Sequence, residues 1–96
     1  MHAAALRLEL RIPNVRSLKE KRHKVKSLIA LLSSQFPVVV CEVGFQDQWQ
    51  RTTLGAAVVA PQAGHLERIM HSVRRCLVEH TEFELLEVGI AYLEEQ

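Results

Sequence analysis

The sequence has few of the residues on which metal, redox and cofactor sites depend. It contains two cysteines, Cys41 and Cys76, and neither has a second cysteine at the spacing of a zinc ribbon or a thioredoxin-type motif. Its five histidines form no His-x-x-x-His pair and no cluster with cysteine. We therefore expect neither a metal ion nor a cofactor. Both cysteines fall inside predicted elements, and we expect them to be buried free thiols.

Long apolar runs and an export signal are lacking as well. The longest uncharged apolar stretch, near residues 54–61, is far shorter than the ~20 residues that span a bilayer. Charges at Arg7, Glu9 and Arg11 interrupt any signal-peptide core near the N-terminus. These observations predict a cytoplasmic protein without a membrane partner. A length of 96 residues and an apolar content of 48% predict a single globular domain over residues 1–96.

The charge of the chain is unevenly distributed. Residues 1–35 hold eight Lys and Arg against two acidic residues, and residues 36–96 hold four against nine, although the net charge is only +1. Such asymmetry between the two halves of a chain indicates either an anionic partner or a self-complementary contact. The composition alone does not distinguish between an anionic partner and a self-complementary contact.

Hydrophobic periodicity predicts six secondary-structure elements. Leu6, Leu8 and Leu10 alternate with charged residues, which is typical of a half-buried strand. Ser17 and Glu20 form a capping box at the start of a helix, in which we expect Glu20 to accept a hydrogen bond from the Ser17 amide. The same periodicities predict strands near 5–12, 37–44, 49–60 and 83–93, and helices near 18–34 and 62–79.

This βαββαβ order predicts a ferredoxin-like α+β sandwich. Two right-handed β-α-β crossovers that share an antiparallel sheet give the strand order 4-1-3-2, with both helices on one face. The strand directions bring three segments to one end of the sheet. These segments are residues 13–17 with the first turn of helix one, residues 44–49, and residues 80–82.

The first helix begins with an unusual excess of positive charge. A helix N-terminus favours acidic residues, yet Glu20 is the only acid in the first two turns. This excess favours a site for phosphate or another anion. The alternative is a solvated basic face, in which Lys21 lies within the apolar arc and extends its stem over the core toward water. With the polar segment 46–51, the candidate anion- or RNA-binding residues are Arg16, Ser17, Lys19, Arg22, Lys26, Asp47, Trp49 and Arg51.

The segment 46–51 also has a purely structural interpretation. It is a hairpin turn in which Asp47 bonds its own backbone or pairs with Arg51. Trp49 would then cover the edge of the core rather than stack on a base.

One face of the predicted sheet is less polar than a solvated face should be. Residues Leu85, Ala91 and Leu93 fall in its outward phase. An apolar patch on a small domain usually marks an interface, so we expect a homodimer that buries this face. Its central residues are predicted to be Val38, Val40, Ala57 and Val59.

Two motifs resemble those of the YlxP-like bacterial family. The first is Arg16-Ser-Leu-Lys-Glu-Lys-Arg22, and the second is Glu42-Val-Gly-Phe-Gln-Asp-Gln-Trp-Gln-Arg51, followed by Leu54-Gly55. The resemblance covers essentially the whole chain, except that phenylalanine stands at position 45, where many members have histidine. It implies a ferredoxin-like domain of unknown function without established catalytic or binding residues. Because genes of this family often lie beside translation and ribosome-maturation genes, it also implies a role linked to RNA or the ribosome.

Three functions follow from these observations. The first is a non-enzymatic accessory protein that contacts RNA or the ribosome electrostatically, since the outward positions of the predicted central strands lack the aromatics on which bases stack. The second is a protein-interaction module or homodimeric scaffold that does not bind nucleic acid. The third is a small phosphohydrolase of similar topology. The third is disfavoured because the loop at 13–17 has no glycine and the only asparagine is Asn14. We predict that the protein is not an enzyme.

Overall fold

The computed structural model describes residues 1–94 and has the predicted order of elements. The strands and helices follow the periodicity of the sequence closely, and most of their ends lie within two residues of the predicted ones. The first strand begins earlier than predicted, at His2, and the third begins later, at Arg51. The elements are β1 (His2–Arg11), α1 (Leu18–Gln35), β2 (Val38–Gly44), β3 (Arg51–Ala60), α2 (Ala63–Glu79) and β4 (Glu84–Glu94).

The four strands form one antiparallel sheet with the order β2-β3-β1-β4. This order is the predicted 4-1-3-2 read from the other edge, so the ferredoxin-like topology is confirmed. β2 and β4 are therefore the two edge strands. No helix among residues 1–94 is both long and apolar enough to cross a membrane.

The core lies between the sheet and the two helices. Leu8, Leu10 and Ile12 are at most 1% exposed, as the alternation along the first strand predicts. They meet the apolar stripes of the helices, which include Leu28 from α1 and Val73 from α2. One face of the sheet is thus covered by helices, and the other, called here the outer face, is open.

The predicted outer face is wrong for β2. Val38 and Val40 are only 8% and 9% exposed, because they pair with Val58 and Ala56, whose side chains face the helices. Neither valine is therefore available to a dimer partner. The outward positions of this strand are instead residues 39, 41 and 43, all of them exposed. Cys41 is consequently exposed and free, not buried as expected.

The predicted outer face is correct for β3 and partly wrong for β4. Ala57 and Val59 do lie on the open face and are exposed.

In β4 the register with β1 shifts, so that Leu10 pairs with Leu85 while Glu9 pairs with Glu87. This bulge turns Leu85 inward, where it packs against the core. Beyond the bulge Ala91 and Leu93 are exposed, in line with the predicted outward phase.

Candidate nucleic-acid interface

Three segments meet at one end of the sheet, as the topology predicts. The Ile12 amide, just after β1, donates to the Gln50 carbonyl at 2.9 Å. Lys21, in the first turns of α1, reaches the carbonyl of Phe45 at 2.7 Å. Lys24 lies 3.8 Å from the carboxylate of Glu82, which precedes β4. The start of α1, the β2–β3 loop and the α2–β4 loop are thus in direct contact.

The start of α1 is capped by Ser17. Its hydroxyl oxygen accepts a hydrogen bond from the Glu20 amide at 3.1 Å, which confirms half of the predicted capping box. The other half differs, because the Glu20 carboxylate accepts from the Arg16 amide at 3.5 Å and not from the Ser17 amide. The candidate residue Ser17 is therefore engaged in holding the helix end.

Lys21 is the most unusual residue of this region, because its side chain is 0% exposed. Its ammonium Nζ donates to Glu42 Oε2 at 2.6 Å, to the Phe45 carbonyl at 2.7 Å and to the Gln46 carbonyl at 3.3 Å. Glu42 Oε2 also accepts from the hydroxyl of Thr52 at 2.5 Å. All three donors of the ammonium are used, so Lys21 has no donor left for a ligand. We call Lys21, Glu42 and Thr52 the buried polar cluster.

The buried polar cluster corrects the expectation that Lys21 extends to water. Two sequence signals are consistent with it. Lys21 lies on the same arc of α1 as Val25 and Leu28, which are buried. Glu42 has the inward phase of Val40 on β2. Lys21 and Glu42 are 21 positions apart in the chain. Neither signal alone therefore predicts the ion pair, which forms only when α1 and β2 are packed together.

The rotation of α1 about its own axis is fixed by two lysines. Lys21 faces β2, and Lys24 faces the α2–β4 loop through its contact with Glu82; it also lies 3.9 Å from Glu20 on α1 itself. At 100° per residue, the exposed residues Lys19, Arg22 and Lys26 share an arc of about 60°. That arc lies about 140–160° from Lys24, on the flank that faces away from the α2–β4 loop. We call these three residues the basic stripe.

The basic stripe is free of intramolecular ion pairs in the part of the chain that the structure describes. Arg16 is also exposed, one residue before the cap. Four of the eight predicted site residues, the stripe and Arg16, therefore carry charges that face solvent around the start of α1.

The β2–β3 loop holds two further candidates, Asp47 and Trp49, and both are exposed. The Trp49 side chain is 50% exposed, so the expectation that it covers the core edge is wrong. Within residues 1–94 Asp47 makes neither the predicted backbone hydrogen bond nor an ion pair with Arg51. The loop is shaped instead by Phe45, which has the left-handed φ of 57°, and by the anchoring of the Phe45 and Gln46 carbonyls on Lys21.

Arg51 lies on the outer face of the sheet and is separated from the basic stripe. Its neighbour Thr52 reaches Glu42 beneath the helices, so alternation along the strand turns Arg51 to the opposite side. There its guanidinium lies over the Phe45 ring, 4.6 Å from the ring centroid. This cation–π contact holds Arg51 on the outer face.

The same face carries an acidic residue with an altered titration. Thr53 donates a hydrogen bond to Glu9 Oε1, and Arg7 Nε donates to Glu9 Oε2 at 3.2 Å. The Thr53 hydrogen bond, followed by the hydrogen bond and charge of Arg7, lowers the pKa of Glu9 below its ordinary value. Glu9 therefore stays ionised and neutralises part of the positive charge on the outer face.

Comparison with known proteins is consistent with the motifs at this end of the sheet. Residues 3–90 match the family described as "Protein of unknown function (DUF503)". The chain is also 35% identical over 68 residues to the "Uncharacterized protein YlxP" of Bacillus subtilis (strain 168), a match that covers 71% of this chain and 74% of that protein. The matched region contains both motifs and the residues of the buried polar cluster. On these grounds the chain belongs to the DUF503 family, of which YlxP is a relative.

Proposed function

We propose that this protein is a non-enzymatic RNA-binding accessory protein that contacts RNA or ribosomal phosphate through the basic stripe. The observation that carries the proposal is that Lys19, Arg22 and Lys26 share one flank of a rigid helix and have no carboxylate partner within the described residues. Unpaired surface cations on one flank are the electrostatic footprint of a phosphate-binding protein.

The stripe is rigid enough to bind as a unit. The eight residues from Lys19 to Lys26 are separated by seven helical rises, which span about 10 Å along the axis. The hydrogen bonds of Lys21 anchor the helix on the sheet, so the stripe is ordered before any ligand arrives. Arg16 lies at the same end and adds a fourth positive charge.

Trp49 supports a single-stranded rather than a duplex ligand. The loop that carries Trp49 is tied to the first turns of α1 through the two carbonyls that accept from Lys21. An exposed aromatic side chain beside a basic surface can stack on an unpaired base, which contributes about 1–3 kcal/mol. Asp47 is the only acid in this loop and disfavours phosphate directly beside it. Arg51 is left out of the proposed surface because it lies on the outer face.

The outer face of the sheet is not a base-stacking platform. The outward residues of the central strands include Arg7, Glu9, Thr53 and Gly55, none of which is aromatic. We therefore expect binding through α1 to be electrostatic and to weaken steeply with salt.

Fluorescence anisotropy with a labelled single-stranded RNA, repeated over a salt series, tests the proposal. Three to four phosphate contacts predict a log–log slope of about −2 to −3, at ~0.7 per contact. The double variant Lys19→Glu/Lys26→Glu should weaken binding and flatten this slope.

The matched control is Arg68→Glu/Arg75→Glu, which makes the same change in net charge at two exposed positions of α2. It should retain most of the wild-type affinity for RNA, because it weakens only the non-specific attraction between the net charge of the protein and the RNA. Equal losses in both double variants, or binding that does not respond to salt, would refute a site on the basic stripe.

A second function is favoured by the apolar end of the outer face. Val39, Val59 and Leu93 are 75%, 59% and 64% exposed, and exposed apolar groups of this kind mark protein interfaces. The alternative proposal is accordingly a protein-interaction module, with a second copy or another protein covering this end. Replacing Val59 with Asp should abolish such a contact, because burial of an unpaired carboxylate costs several kcal/mol. Gel filtration of the variant against the wild type measures the effect.

A further inference from the structure

The edge of β4 is unusually open for a strand of its length. Within residues 1–94 it pairs with β1 alone, and after the bulge eight residues, from Glu87 to Glu94, continue in unbroken register. An unpaired strand edge presents a row of free backbone donors and acceptors. The opposite edge strand, β2, is shorter, follows Pro37, and carries a register shift between Glu42 and Gly44. Proline and bulges are devices that discourage edge pairing, and β4 lacks both beyond its start.

The helix-covered side of this edge is apolar and incompletely covered. Ile90 and Tyr92 have inward phase, since they pair with Leu6 and Ala4, yet they are 46% and 51% exposed. The reason is that α2 lies over the central strands and leaves the side of β4 bare. Val78, which extends the same surface from α2, is 64% exposed. Apolar side chains thus line an unpaired backbone edge, which is the combination found where one strand adds to another.

We infer that a second copy of this chain pairs with the β4 edge in antiparallel orientation, so that the two sheets join into one of eight strands. The two-fold axis passes near Ile90. In that register Val88 of each copy lies opposite Tyr92 of the other, which forms aromatic and β-branched cross-strand pairs. Glu87 lies opposite Leu93, so the two copies of Glu87 do not face each other.

The flank of α2 beside β4 is self-complementary about the same axis. The hydroxyl of Tyr92 donates to Glu67 Oε1 at 2.8 Å, which sets Glu67 at the level of Tyr92. Ile90 is two strand residues away, about 6–7 Å, and this distance corresponds to about four residues of helix. The axis therefore passes beside α2 at the level of His71. It brings Glu67 of one copy near the level of residue 75 of the other, where Arg74 is the basic residue on the flank beside β4. This charge pairing favours a second copy over an unrelated protein as the occupant.

The contact is independent of both functions proposed above. It does not use the basic stripe. Of the apolar end of the outer face it uses only Leu93, and it leaves Val39 and Val59 accessible on each copy. A dimer of this kind keeps both basic stripes on the helix-covered face of one continuous sheet, each toward one of its two outer edges.

Sedimentation equilibrium on the full chain tests the inference. At high micromolar concentration the wild type should have about twice the chain mass of 10.9 kDa. Ile90→Lys sets two ammonium groups against each other at the axis, and like charges placed in this way oppose association. The dimer Kd should therefore rise by at least about tenfold. Backbone amides at the free edge of β4 should exchange slowly in the wild type and rapidly in the variant.

A charge exchange on α2 keeps the inference testable if Ile90→Lys does not fold. Glu67→Arg and Arg74→Glu should each weaken the dimer. The double variant should restore it, because both positions are exposed and the exchange recreates opposite charges across the axis, although Glu67→Arg also removes the hydrogen bond from Tyr92. Val59→Asp serves as the control for the outer face and should leave the dimer intact. A monomeric wild type, a dimer that ignores Ile90→Lys, a failure of the double variant to restore it, or a dimer broken by Val59→Asp would each overturn the edge contact. The last outcome would assign self-association to the outer face instead.

Discussion

Replacing Lys21 with methionine is expected to destabilise the fold severely. The side chain is 0% exposed, so the variant replaces no group that solvent or a ligand contacts directly. It leaves the Glu42 carboxylate with Thr52 as its hydrogen-bond donor, and it deprives the Phe45 and Gln46 carbonyls of theirs. Breaking a buried ion pair by removal of one partner costs about 3–5 kcal/mol. A chain of this size has a total stability of roughly 5–14 kcal/mol.

Urea denaturation followed by circular dichroism measures this loss. We expect the midpoint to fall by about a fifth or more of its value with little change in the slope, because the surface exposed on unfolding is nearly the same. Hydrogen exchange should report faster opening of residues 44–50, which lose their anchor on α1. The double variant Lys21→Met/Glu42→Gln should be less destabilised than the two single losses together, because the uncompensated carboxylate is gone.

A loss below about 1 kcal/mol in Lys21→Met would refute the reasoning. It would mean that apolar packing replaces the buried ion pair without penalty, as happens in some proteins when all charged members are replaced together. Strictly additive effects of the two substitutions would likewise show that Lys21 and Glu42 do not act as a pair.

Two further predictions concern titration and thiol reactivity. Thr53→Val should raise the pKa of Glu9 toward its ordinary value in an NMR titration, because the lowered pKa depends first on the Thr53 hydrogen bond. A group whose pKa is lowered by folding contributes stability above its unfolded pKa, and that contribution is lost as pH falls through the folded pKa. The variant should therefore be less stable at neutral pH and lose less on acidification, and parallel pH profiles of the two proteins would contradict this assignment. Burial, with the nearby charge of Glu79, raises the pKa of the Cys76 thiol, whereas Cys41 is exposed. Mass spectrometry after brief alkylation at neutral pH should find the label on Cys41 first, and equal labelling would show that Cys76 is more accessible than the fold indicates.

The topology was predictable from the sequence because strict alternation marks the first strand and capping marks the first helix. The inward-facing side of a strand could not be predicted where the sequence does not alternate between apolar and polar residues. Residues 38–40 are all valine, so the run has no phase of its own, and the inward side of β2 is set by pairing with β3. Likewise Leu85 and Leu86 are adjacent and equally apolar, so nothing local indicates which of them the bulge turns inward.

The candidate site was predictable in its location and only partly in its members. Strand directions alone brought three segments to one end of the sheet, and the basic stripe follows from the angular spacing on α1. Nearness to Trp49 in the chain predicts the same surface for Arg51, but one step along a strand reverses the direction of a side chain, and Arg51 lies on the outer face. The role of Lys21 depends on a partner 21 residues away. Its angular position on α1 predicts whether the aliphatic part of the side chain is buried, but not what its ammonium group binds.

The hydrogen bond between Lys21 and Glu42 has a consequence for how this sequence can change over evolutionary time. Lys21 belongs to the motif at 16–22 and Glu42 to the motif at 42–51, so the two motifs are halves of one physical unit. Loss of either residue alone leaves a buried charge without its partner, and loss of Lys21 also leaves loop carbonyls without a donor. Sequences with only one of the two substitutions are therefore expected to fold poorly. Substitution at these two positions therefore has to be concerted, and drift at one should be followed by drift at the other across related sequences.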